Sequence, residues 1–159
     1  MQPSDSAARD SYRRALDSAL RILAHRDHTE TELGRKLDRR GYGQDLVRRV
    51  IEECRRYGYL DDDRAARQLL EQMKRRGLGI RRIRFEMVKK GLTGPGISEL
   101  LRESLPAGEE LERAHQAVGK RAAAFDREPD AQRRKVRIQR FLHSRGFTDS
   151  VIFELLRET

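Results

Sequence analysis

Any chemistry in this chain has to start from its few reactive side chains. His25 and His28 are three residues apart, a spacing that can supply two metal ligands. No other His, Cys or obvious carboxylate set completes the shell that zinc needs. His115 and His143 stand alone on polar helix faces. Cys54 is the only cysteine, which excludes an internal disulfide and a thiolate cage and fits a reducing compartment. Asp61, Asp62 and Asp63 could offer oxygens to a magnesium ion. Three consecutive acids on a helix start point in different directions, however, and helix capping is the simpler role. The stretch GLTGPG, residues 91–96, lacks the Lys-Ser/Thr that follows a phosphate-binding loop, and no strand precedes it. It reads as a turn between two helices. With no Ser-His-Asp, Cys-His or paired-carboxylate set in view, these residues predict a protein that is not an enzyme, with no cofactor, no metal and no small-molecule substrate.

Arginine is the residue type in surplus. The formal net charge is +9, which points to a polyanionic partner or an acidic protein surface. Two windows concentrate it. Residues 74–90, KRRGLGIRRIRFEMVKK, contain a single acid, Glu86, and residues 133–145, RRKVRIQRFLHSR, contain none. Pairs at i,i+4 cannot neutralise such windows. Arginine outnumbers lysine in them, and its forked guanidinium suits bidentate contacts to carboxylate or phosphate. The candidate partner-binding residues are therefore Arg75, Arg76, Arg81, Arg82, Arg84, Lys89 and Lys90 in the first window. Arg133, Arg134, Arg137 and Arg140 are those of the second. Arg35, Arg39 and Arg40 are comparable, although Asp38 dilutes them. Aromatic residues make up 6% of the chain, so base stacking is weakly supported.

The elements that hold these cations repeat. Gly41, Gly91 and Gly146 align three copies of one pattern. Leu33, Ile83 and Ile138 lie eight residues before them, and Leu37, Met87 and Leu142 lie four before. Tyr42, Leu92 and Phe147 follow directly, Val47, Ile97 and Ile152 come six after, and Val50–Ile51, Leu100–Leu101 and Leu155–Leu156 close the pattern. Each copy reads as helix, glycine stop, turn, helix, with one buried stripe. Gly43, Thr93 and Thr148 are candidate N-caps for the last helices. A further amphipathic helix precedes each copy: Leu16, Ala19, Leu20 and Leu23; Ala66, Leu69, Leu70 and Met73; and Leu111, Ala114, Val118, Ala122 and Phe125. Thr29 with Glu32 makes a capping box, Asp61 starts a helix, and Pro129 suits a first helical position.

The expected fold is all-α: three tandem three-helix, helix-turn-helix-like repeats forming an elongated, curved solenoid. Residues 1–10 are expected to be a disordered tail, followed by repeats at 11–60, 61–106 and 107–159. A unit of about 50 residues buries too little surface to stand alone, so neighbours should stack. The longest apolar run is four residues, 122–125, so no membrane is involved. The polar start, MQPSDSAARD, does not resemble a signal peptide. A cytoplasmic monomer is expected.

Four blocks carry a family resemblance: ALRILAHRDHTETELGRKL (19–37), GYLDDDRAA (58–66), RRGLGIRRIRFEMVKKGL (75–92) and KVRIQRFLHSRGF (135–147). In order and spacing they resemble the RecX family of bacterial regulators of the RecA recombinase, from about Ala15 to the end of the chain. The resemblance implies a non-catalytic inhibitor that lodges in the groove of the RecA–DNA nucleoprotein filament. It would suppress recombinase and ATPase activities in DNA repair and SOS regulation. Ala65, Leu78 and Ile80 depart from the family pattern, which has a large aromatic, a Tyr and a Pro there. The alternative is a direct DNA-binding helical protein that acts without RecA contact.

Overall fold

The computed structural model describes residues 5–158. Within them the chain is all helix: α1 Asp5–Leu23, α2 Glu30–Asp38, α3 Gln44–Arg56, α4 Asp62–Arg75, α5 Ile80–Lys89, α6 Pro95–Ser104, α7 Ala107–Gly119, α8 Ala122–Phe125, α9 Ala131–Arg145 and α10 Asp149–Glu158. They form two compact units. One runs to Arg67 and takes in Lys90–Leu92, and the other holds Gln68–Lys89 and the chain from Thr93 on.

The repeat register matches the burial. Leu33, Ile83 and Ile138 are all buried, as are Leu37, Met87 and Leu142. The three aligned glycines have φ of 86°, 79° and 80°, the left-handed region that glycine enters without a Cβ penalty. Each therefore stops a helix and redirects the chain while the apolar stripe continues inward.

In the first unit, α1, α2 and α3 pack around Ala15, Ala19, Ile22, Leu33, Leu37, Val47, Val50, Cys54 and Leu60. The α1 stripe is centred on Ala15, Ala19 and Ile22; Leu16, Leu20 and Leu23 are half-buried beside it. Each large side chain buried here contributes about 1.5–3 kcal/mol. The Thr29 capping box is formed: its hydroxyl oxygen accepts from Glu32 N at 3.1 Å, and the Glu32 carboxylate accepts from Thr29 N at 3.2 Å. The same hydroxyl donates to the Lys90 carbonyl at 2.7 Å. The Asp62 carboxylate accepts from Glu30 N at 2.8 Å, and Arg64 grips both Asp27 oxygens at 3.2 Å.

In the second unit, α7, α9 and α10 with the short α8 enclose Ala114, Ala117, Phe125, Ile138, Leu142, Phe147, Val151, Ile152 and Leu155. The start of α5 has a distinctive anchorage. Gly79 N donates to the Arg145 carbonyl at 2.9 Å, Ile80 N to the Glu110 carboxylate at 3.2 Å, and Arg81 N to the Gly146 carbonyl at 3.0 Å. The unpaired N–H groups of a helix start, usually met by a local cap, are here met by groups from α7 and the end of α9. The Glu110 carboxylate, 7% exposed, also accepts from the Thr148 hydroxyl at 3.1 Å.

Four local expectations are corrected. The expected tail over residues 1–10 is helical from Asp5 on. Ala7, Ala8 and Arg9 are strong helix formers, and residues 1–4 lie outside the described residues. The stripe from Leu111 to Phe125 is not one helix. Chain direction changes at Lys120–Arg121 between α7 and α8, directly after Gly119, and Ala122 is exposed. Pro129 lies outside α9, whose N-cap is Asp130, because the Asp130 carboxylate accepts from Arg133 N at 2.7 Å. Gly94, not Thr93, precedes α6, where Pro95 occupies the first turn.

Candidate functional site

The cations singled out by composition occupy α2, α4, α5 and α9 and their ends. In the first unit, Arg35, Arg39 and Arg40 are exposed at the end of α2. Arg40 bonds the Ser18 hydroxyl and, at 3.4 Å, its carbonyl. Lys90 is half-buried and paired with Glu32. It is a joint inside this unit, because the Thr29 hydroxyl holds its carbonyl as well. Burial alone would raise the Glu32 pKa, but hydrogen bonds from Arg26, Lys90 and the Thr29 amide outweigh it and hold the carboxyl down at about 2.

In the second unit, Arg75 and Arg76 are exposed at the end of α4, and the Arg76 carbonyl accepts from Arg145 Nη1 at 2.8 Å. On α5, Arg81, Arg82, Arg84 and Lys89 are exposed. Arg81 pairs with Asp149 at 2.8 Å and Arg82 with Glu86 at 2.8 Å. The Arg81 guanidinium holds the Asp149 carboxyl below the ordinary carboxylate range, and Asp149 also faces His143 at 3.6 Å. On α9, Arg134 is half-buried, 3.8 Å from Asp126. Arg133, Arg137 and Arg140 are exposed, and no ion pair engages them among the described residues.

The anchorage of α5 brings the two basic windows together. Arg81, Arg82 and Phe85 from α5 line a cavity of about 280 Å³ with His143, Ser144, Gly146 and Phe147 from the end of α9. Arg82 lies over the Phe85 ring at 5.6 Å. Arg84, Arg137 and Arg140 are not in this cavity and present open surface.

Phe85 is 59% exposed, and sequence reasoning did not single it out. The signal was available: it falls two residues from both Ile83 and Met87, on the wrong side of the helix for the core. Arg121 and Arg145 were also missed. Their guanidinium carbons lie 5.3 and 5.2 Å from the Phe141 ring centre, cation–π geometry that joins distant positions. His28 is committed rather than ligating. It is 2% exposed; Nδ1–H donates to the Arg26 carbonyl at 2.9 Å and Nε2 accepts from Lys36 at 2.8 Å. Burial pushes its pKa down. Among the described residues no group of three His, Cys, Asp or Glu could hold a metal ion, and no helix is long and apolar enough to cross a membrane.

Tandem helix–glycine–helix copies, two of them with arginine-rich middle helices, define a class of all-helical repeat proteins. Two family profiles match this chain: RecX first three-helix domain over residues 15–54 and RecX third three-helix domain over residues 108–156. Among relatives, the regulatory protein RecX of Salmonella arizonae is 37% identical over 159 residues, covering 94% of this chain and 93% of the relative. That of Trichlorobacter lovleyi is 34% identical over 143 residues, covering 89% and 92%. The crystal structure of RecX from Lactobacillus salivarius superposes with a TM-score of 0.77 at 19% identity, over 94% of this chain and 96% of that one. A second crystal structure of regulatory protein RecX gives 0.82 at 23% identity, over 96% and 76%. The chain belongs to the RecX family of regulatory proteins.

Proposed function

We propose that this protein is a non-catalytic modulator of RecA. It binds the groove of the RecA–DNA filament and suppresses its recombinase and ATPase activities, acting as a cytoplasmic monomer in DNA repair and SOS regulation. Its working division is three three-helix repeats at 11–60, 61–106 and 107–159. The observation that carries this reading is the open cationic surface on α5 and α9. Arg84, Arg133, Arg137 and Arg140 are exposed, and the 133–145 stretch has no acid of its own. Unpaired arginines at this density suit an acidic groove or a phosphate chain. Arg81, Arg82 and Arg134 are secondary contacts, since Asp149, Glu86 and Asp126 already face them. Binding alters the filament only through a difference in affinity between its active and inactive states.

A titration against naked DNA and against RecA–DNA filament, each at two salt concentrations, tests the proposal. Binding through about six phosphate contacts weakens roughly a thousandfold between about 50 and 200 mM salt. Filament binding that stays tighter at the higher salt supports a RecA-directed clamp. Equal affinity for both substrates, lost together with salt, rejects it in favour of direct DNA binding.

A further inference from the structure

A second concentration of cations around one concavity lies away from α5 and α9, in the first unit. A cavity of about 530 Å³ opens between α1 and α2. Arg21, His25 and Arg26 line it from the α1 side, and His28, Lys36 and Arg40 from the α2 side. Ile22 is the single apolar contributor and no acid lines it. Helix-end carbonyls attract one or two cations at each terminus, but that preference does not gather four Arg and Lys around one hollow.

The cations differ in how firmly they are held. Arg26 is fixed by the Asp27 carbonyl at 2.7 Å and by the Glu32 carboxylate at 3.2 and 3.4 Å. Arg40 is fixed by Ser18. Lys36 is held by a neutral imidazole, not by a carboxylate: His28 Nε2 accepts one of its protons, which leaves its full charge and two further N–H groups for another acceptor. Arg21 is exposed at the rim. Two of the cations thus meet only neutral oxygen or nitrogen partners, so the charge of the hollow is largely uncompensated.

We propose that this cavity is a binding site for a terminal phosphate group, carried either by a free nucleotide or diphosphate or by the phosphorylated end of a nucleic-acid strand. A compact group with two or more negative charges and several acceptor oxygens matches several converging guanidinium and ammonium donors. The absence of an aromatic residue from the lining means that the phosphate, and not a base, is recognised. The hollow is large enough for a di- or triphosphate. The inference goes beyond the RecA reading and holds whether or not the α5 and α9 surface meets RecA.

Calorimetric titration of the full-length protein with pyrophosphate, with sulfate at equal ionic strength as reference, tests it. Pyrophosphate should bind at least about tenfold tighter than sulfate. Arg21→Ala and Arg40→Ala should each weaken it about tenfold, the loss of one charge-assisted contact, whereas Arg84→Ala on α5 should not. Histidine ring signals give a second readout that needs no variant: saturation should move those of His25 and His28 and leave His143 in place. ATP, a 5′-phosphorylated oligonucleotide and the same strand with a 5′-hydroxyl separate the sources. Tight ATP binding assigns a free nucleotide, and binding that needs the 5′-phosphate assigns a strand end. No preference for pyrophosphate, unmoved His25 and His28 signals, or equal binding of the 5′-hydroxyl strand through Arg21 and Arg40 would each overturn the proposal.

Discussion

Replacing Gly146 by alanine tests whether the end of α9 is what seats the basic helix α5. Two costs add. Gly146 has φ +80°, and a Cβ there costs roughly 1–2 kcal/mol of left-handed strain. The added methyl would also sit 2.5 Å from both the backbone nitrogen and the Cβ of Arg82. No side-chain rotation relieves a clash with backbone, and overpacking of this kind costs about 1–3 kcal/mol more. The total, roughly 2–5 kcal/mol, is a large part of the stability of an ordinary domain. Gly77→Ala in the same unit is the control. Its φ is +67°, but the new Cβ would meet only the Ala117 methyl at an ordinary 3.6 Å, so it should lose the strain term alone, about 1–2 kcal/mol. Urea denaturation followed by circular dichroism measures both. Amide exchange at Gly79, Ile80 and Arg81 should accelerate in Gly146→Ala and hardly change in Gly77→Ala. Equal destabilisation by the two substitutions, or unchanged exchange at those amides, would refute the seating argument.

Two other outcomes are expected. Arg137→Glu with Arg140→Glu should leave helicity unchanged and lower both filament affinity and inhibition by at least tenfold, read by ATPase assay. It is a cleaner test than reversing Arg81 and Arg82, which would also break the Asp149 and Glu86 pairs. Glu32, held at about 2 against a model-peptide value of 4.5, is depressed in the folded state. Its contribution is present above pH 4.5 and lost as pH falls toward 2. Thermal melts of Glu32→Gln should show a deficit on the order of 1–2 kcal/mol at neutral pH, after allowance for solvent screening, and no deficit near pH 2.

The repeat was legible because a left-handed glycine and a four-residue apolar spacing are local signals, and Leu33, Ile83 and Ile138 fall where those signals put them. The middle helices and the Thr29 capping box followed from the same logic. The break after Gly119 was less visible, since Ala122 and Phe125 keep the helical spacing across it. Partners of the basic residues were legible only where they lie close in sequence. Counting acids inside a window finds Glu86 for Arg82, but Asp149 lies 68 residues from Arg81 and Glu32 lies 58 from Lys90. The cation-lined hollow escaped for a related reason: Arg21 comes from α1 and Arg40 from the turn after α2, so only the fold brings them together.

The seating of α5 also bears on how far the copies can be separated. Its opening amides have no acceptors nearby in sequence; a carboxylate on α7 and two carbonyls at the end of α9 terminate it instead. A chain cut between α6 and α7 would keep every residue of the second copy and still leave that helix frayed. Copies of this protein are therefore not interchangeable beads: the third one finishes the second, and any graft, deletion or shuffled version has to bring those acceptors with it.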